Sequence, residues 1–332
     1  MLARALIRLP ALTCFVASSL CCAIALGGNR TLTVAADGKG DFKSVQSAID
    51  AIPAKNEEPV VIHVAAGRYK EKIYLPRDKR FVTIRGDDSG TTVLTYDQNA
   101  ASLGPDGKPL GTTGSYSTWV DADDFLAENI TFENTAGDVG GHTGQALALR
   151  ASGDRQVYRK CRLLGWQDTL YADAGRQYYA DCYIQGRVDF IFGSATAVFD
   201  RCELHSKNGG YVTAASTPRE KPFGYVFLHC KLTGEGAKAM LGRPWRPYAA
   251  VTYAWCEIGD HIKPAGWDNW RNAENEKTAR YAEYKCSGPG ADRAGRVGWS
   301  HELTDDQAKE LTVANILGGK DKWGPSQARN EP

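Results

Sequence analysis

Two aspartates, Asp168 and Asp189, each stand seven residues after a cysteine and three after a glycine. Laid over one another, CRLLGWQDTL (161–170) and CYIQGRVDFI (182–191) coincide at cysteine, glycine and aspartate, 21 residues apart. If that offset brings the two side chains together, both carboxylates cannot ionise freely, and one is pushed above its unperturbed value of about 3.9. A protonated carboxyl beside an ionised one is an acid next to a nucleophile or base. Retaining glycoside hydrolysis, inverting hydrolysis at wider spacing, and ester hydrolysis through an acyl-enzyme all use such a pair. Gln145 lies 22 residues before Gln167, which itself precedes Asp168. Two amides stacked beside the acids are donors for a tetrahedral oxyanion, which ester chemistry has and glycoside chemistry lacks. Glutamine ladders are also structural features of stacked chains, so both readings stand. Arg243, between a glycine and a proline in LGRPW (241–245), presents a planar fork suited to holding Asp189 ionised and aimed. Trp245 offers either a flat face for a sugar ring or core packing.

The register belongs to a longer repeat. The pattern aromatic-x-x-Cys-x-Leu/Ile occurs in YRKCRL (158–163), YADCYI (179–184), FDRCEL (199–204), FLHCKL (227–232) and YAWCEI (253–258). Cysteine spacings of 21, 20, 28 and 26 mark a repeat architecture. Short β-branched and aromatic runs cut by Gly, Asn and Asp are strand-and-turn chemistry. Strands stacked at this period predict a parallel β-helix, its rungs about 4.8 Å apart. Asp168 and Asp189 then face the same way from neighbouring rungs, carboxylates roughly 5 Å apart. Like charges directly opposite are destabilising, which favours a chemical role over an aspartate ladder on a solvated turn. The same stacking brings cysteine Cα atoms into the roughly 4.4–6.8 Å window of a disulfide, with Cys182–Cys202 the favoured pair.

The flanks read as caps. SVQSAIDAI (44–52) places Val45, Ala48, Ile49 and Ile52 at helical spacing before Pro53. PVVIHVAAGRY and RFVTIRG read as strands of the first rungs. Thr304 with Gln307 is a capping-box pair expected to open an amphipathic helix running to about Leu317. Residues 265–297, rich in charge, Gly and Trp, read as loops wrapped around the outside. The expectation is an all-β, single-domain fold with short capping helices.

Composition excludes some classes. With 332 residues, 42% hydrophobic and a net charge of +1, no surface for nucleic acid is advertised. Residues 1–25 carry Arg4 and Arg8, an apolar run, then Ala23-Ile24-Ala25, the order of a cleaved secretory signal. A retained anchor is the alternative, and lipidation of Cys21 or Cys22 fits poorly with the residues before them. The expectation is an exported protein, secreted or periplasmic, monomeric and without stable membrane association. Three of the nine cysteines fall in that leader. The remainder form no CxxC pair, and the six histidines are scattered, so neither a metal site nor a cofactor is expected.

GRYKE (67–71), QALAL (145–149), WQDTLY (166–171), VDFIFG (188–193) and LGRPW (241–245), in this order, resemble the pectin methylesterases (pectinesterases) of carbohydrate esterase family 8. The resemblance runs from about Thr31 to Ile316, and the catalytic domain is drawn at 31–320. It implies a right-handed parallel β-helix and metal-free removal of methyl esters from the galacturonate of pectin. It also implies Asp189 as nucleophile, Asp168 as proton donor and acceptor, Gln145 and Gln167 as oxyanion hole, and Arg243 orienting Asp189. Trp245, with Tyr171 and Phe192, would line the cleft for methyl-esterified homogalacturonan. Arg187 departs from the small residue many members carry there, and reads as a solvated side chain or an extra contact to an acidic sugar. No inhibitory pro-domain of the kind some plant members have is expected, so a bacterial-type secreted enzyme fits. A polygalacturonate-cleaving glycosidase or lyase, an esterase for another small ester, and a non-catalytic carbohydrate-binding β-helix are the competing readings.

Overall fold

Period-2 burial recurs along short strands such as Val60–Val64 and Ile73–Leu75, where alternate side chains are enclosed. Such strands close only by stacking on copies of themselves, and the chain coils to do so. The computed structural model describes residues 30–139 and 142–325; the leader, with Cys21 and Cys22, lies outside them. Among the described residues three parallel sheets of eleven, eight and seven strands form a right-handed parallel β-helix. Seven successive coils contribute one strand to each sheet; the first coil and the last three supply fewer.

The interior is filled by files of like residues. Tyr158, Tyr179, Phe199, Phe227 and Tyr253 stack in register, their ring centroids 4.8, 4.7, 4.5 and 4.5 Å apart. That is the strand spacing itself, so each ring meets its neighbour face to face. The aromatic of the repeat pattern is therefore the core. In the next coil Tyr253 pairs with Glu283, which is almost fully buried and bound by Arg293 and Arg296. The coil also supplies Cys286 and the strand Arg280–Tyr284. This corrects the reading of 265–297 as loops alone: with a glutamate in place of the aromatic, the sixth repeat escaped the pattern.

The residue before each repeat cysteine is a single left-handed corner. Lys160, Asp181, Arg201, His229, Trp255 and Lys285 have φ between 43° and 54° (48°, 54°, 53°, 54°, 54° and 43°). One αL residue turns the chain between the eleven- and eight-stranded sheets at a modest energetic cost. The cysteines that follow are all free thiols, and the expected Cys182–Cys202 bridge is absent. In-register stacking points their side chains the same way rather than at one another, against the geometry a bridge needs. The Cys182 thiol instead lies 3.4 Å from the Ala180 carbonyl and 3.5 Å from that of Tyr158.

The N-terminal coil is covered by the helix Val45–Asp50, capped by Ser44 and burying Val45, Ala48 and Ile49. Glu71 accepts the N–H groups of Val45 and Gln46, which the helix leaves unpaired. The Thr304–Gln307 capping box forms, but the helix it opens ends at Ala308. A second helix, Val313–Leu317, restarts at Thr312, whose hydroxyl accepts from Asn315. One long helix is replaced by two short ones because the chain bends to lay Ala308, Leu311, Ile316 and Leu317 on Tyr178, Val198 and Val226. They cover the outer face of the eleven-stranded sheet rather than the open end.

Candidate active site

The seven-stranded sheet carries the residues in question. Leu170 pairs with Ile191 and Tyr171 with Phe192, an offset of 21 that sets Asp168 level with Asp189 in adjacent coils. Each aspartate sits in left-handed backbone, φ 63° and 52°, two residues ahead of its strand. The glycine three residues earlier has a steric reason. A Cβ on Gly186 would fall 2.2 Å from that of Phe190, and one on Gly165 2.6 Å from the Thr169 hydroxyl. The corner folds back on the glycine, and that fold aims the aspartate.

Both carboxyls are buried, with Asp168 7% and Asp189 6% exposed. Arg243 donates from Nε to Asp189 Oδ1 at 2.9 Å and from Nη2 to Oδ2 at 2.7 Å. Burial, then the charge of Asp189, push Asp168 well above the carboxylate range, with Arg243 opposing. Asp189 is also raised, because burial outweighs the guanidinium, but the fork opposes the rise directly. Both shifts favour the protonated form, more strongly at Asp168, and the fork sets Asp189 apart in the sense an acid–nucleophile pair needs.

Gln145 and Gln167 form a parallel bridge, one coil apart, and both are half-buried. Their backbones are tied by the Ala146 N–H donating to the Gln167 carbonyl at 3.1 Å. Tyr171 and Phe192 stack at 4.4 Å and 5°, and Trp245 meets Phe192 edge-on at 5.8 Å. Phe192 itself is nearly enclosed, so Tyr171 and Trp245 carry most of the accessible aromatic surface. Arg187 is half-buried next to this sheet, its N–H on the Trp166 carbonyl at 2.7 Å. All eight site residues named from the sequence are thus on or beside one sheet. Among the described residues no group of three or more His, Cys, Asp or Glu is arranged to hold a metal ion.

Three neighbours were missed. Tyr211 pairs one coil beyond, at the level of the aspartates, since Ile191 pairs with Thr213. The step to that coil is 22 residues rather than 21, which carries the register from Asp189 to Tyr211. Trp270 and Asp268 lie in the stretch read as wrapping loops, and nothing in their local sequence points to the site.

The fold and the family match define the class as a carboxylic ester hydrolase: residues 31–320 match the Pectinesterase family. Pectinesterase 31 of Arabidopsis thaliana is 45% identical over 286 residues, covering 84% of this chain and 89% of that one. Pectin methylesterase from carrot superposes with a TM-score of 0.83 at 32% identity, covering 92% of this chain and 98% of that one. A pectin methylesterase in complex with hexasaccharide VII gives a TM-score of 0.77 at 31% identity, covering 90% of this chain and 99% of that one. The chain belongs to the pectinesterase family.

Proposed function

We propose that the chain removes methyl esters from the galacturonate units of pectin by way of an acyl-enzyme on Asp189. The observation that carries this is the fork of Arg243 on one member of the buried carboxylate pair and not on the other. Asp189 attacks the C6 carbonyl, and the amides of Gln145 and Gln167 donate to the oxygen as it gains charge. Collapse breaks the bond to the methoxy oxygen, which takes the proton of Asp168 and leaves as methanol. Asp168, now ionised, takes a proton from water as that water attacks the anhydride. The bond to Asp189 breaks, Asp189 leaves as carboxylate, the galacturonic acid departs and gives its own proton to solvent, and the proton taken from water is back on Asp168. Tyr171, Phe192 and Trp245 flank the sugar chain. Residues 31–320 act as one catalytic domain and as a monomer, and residues 1–25 direct export to the periplasm or medium.

Incubation with highly methylated pectin should release methanol and protons with no new reducing ends and no unsaturated products. Chain shortening would instead support a glycosidase or lyase. Asp189→Asn is expected to lower methanol release by several orders of magnitude with the fold intact by circular dichroism. Near-normal release from that variant overturns the nucleophile assignment.

A further inference from the structure

The guanidinium of Arg243 has two aromatic rings within cation–π range. Its carbon lies 4.0 Å from the ring centroid of Tyr211 and 3.8 Å from that of Trp270. Its donor edge is turned to Asp189. A planar cation held against two rings keeps one plane, and that plane is the one in which the fork meets the carboxylate.

The rings are themselves fixed. Tyr211 belongs to the strand Gly210–Ala215, with its N–H on the Arg187 carbonyl and its own carbonyl accepting from Phe190. Trp270 sits in a tight loop where it and Arg271 both adopt left-handed backbone, φ 61° and 56°. Asp268 Oδ1 accepts the Trp270 N–H at 2.7 Å, and the Asp268 N–H donates to the Gly242 carbonyl, one residue from Arg243. Asn275 donates to the Asn269 carbonyl, and Asn269 donates to Glu276, so the short helix Ala273–Lys277 braces the turn. Two adjacent αL residues in a non-glycine loop are conformational strain that the surrounding bonds must hold in place.

We infer that Trp270 and Tyr211 are positioning residues for the nucleophile, an aromatic clamp that holds the Arg243 guanidinium flat against Asp189. This rests on the reading of Asp189 as the attacking group. Asp189 is faced by Asp168 from the preceding coil, Arg243 from the strand Ala239–Pro244, Asp268 from the Trp270 loop and Tyr281 from the buried core. Only Arg243 among them favours the ionised form. A loosened fork therefore lets Asp189 hold its proton to higher pH, and the acid limb of the rate profile moves up.

The experiment is methanol release against pH for the wild type, Trp270→Ala, Trp270→Phe and Arg243→Lys, with the Trp270→Ala/Arg243→Lys double variant closing a cycle. Trp270→Ala should lower kcat about tenfold, change KM less than twofold and shift the acid limb of kcat/KM to higher pH. Trp270→Phe, which keeps a ring face, should recover most of both. Lysine has no plane to hold, so removing Trp270 in the Arg243→Lys background should change kcat less than twofold. A rise in KM alone, an unmoved acid limb, or an equal kcat loss in both backgrounds overturns the clamp and leaves Asp189 as nucleophile. Retained activity in Asp189→Asn overturns the nucleophile and the clamp with it. Melting curves identify a variant that fails to fold; Tyr211→Leu, which removes the other ring, then carries the test, a lowered kcat with a raised acid limb supporting the clamp and an unchanged profile in a folded variant overturning it.

Discussion

Asp168 and Asp189 occupy equivalent corners and receive different environments. Asp189 carries a cation on both oxygens; at Asp168 burial and its neighbour's charge outweigh the more distant pull of Arg243. The sign of the effect on stability follows. Asp168 binds its proton more tightly folded than unfolded, so stability falls as pH rises from the ordinary carboxyl range near 3.9 up to the raised folded value. Above that window the full penalty is present. Asp168→Asn, which keeps the shape and tolerates φ 63°, is expected to raise the melting temperature at neutral pH while abolishing turnover. The gain should fade when melts are repeated below about pH 3.9. A gain unchanged at low pH would mean that something other than ionisation is relieved. At this scale the sequence was readable because the offset of 21 repeats cysteine, glycine and aspartate together. It was silent on Trp270, because a left-handed loop braced by its own side chains leaves no periodic trace.

At the level of the coil, the repeat pattern encodes three separate devices. Its aromatic is the interior stack, the residue before its cysteine is the corner, and its cysteine is a small buried filler next to that corner. Spacing alone suggested a bridge, because distance is visible in a repeat and side-chain direction is not. The structure predicts that all six cysteines of residues 30–325 are alkylated in denaturant without reductant, with the mass change read by intact mass spectrometry. Under native conditions only Cys286, the one thiol not fully buried, should react quickly. Four adducts in denaturant would restore a bridge. The coil of Cys286 was missed for a related reason: Glu283 took the aromatic's place, Gly288 that of the Leu or Ile, and the pattern no longer matched.

The molecule as a whole is a column with one working face. The seven-stranded sheet holds the proposed catalytic residues, while the C-terminal helices seal the outer face of the eleven-stranded sheet. Where the aromatic column ends, Glu283 is held by Arg296, both side chains 2% exposed, and by Arg293. Removing one member of such a buried pair strands the other's charge and costs roughly 3–5 kcal/mol. Arg296→Met should lower the urea unfolding midpoint accordingly, with kcat and KM of the folded enzyme unchanged. An unaltered midpoint would show that Glu283 is satisfied by Arg293 alone.

The one-residue corner has a further consequence. Cysteine-to-cysteine spacing varies from 20 to 28 across the five matching repeats, yet a bend made of a single αL residue has nowhere to store extra chain. Length differences must therefore surface elsewhere, and they do so at the exits of the catalytic sheet. Ala172 to Arg176 is a short hop, whereas Ala215 to Tyr225 is a long excursion. The architecture separates what must stay constant from what is free to grow, and puts the growth along the rim of the cleft. Insertions there can reshape how a polymer lies across the enzyme without moving the coils that hold its acids.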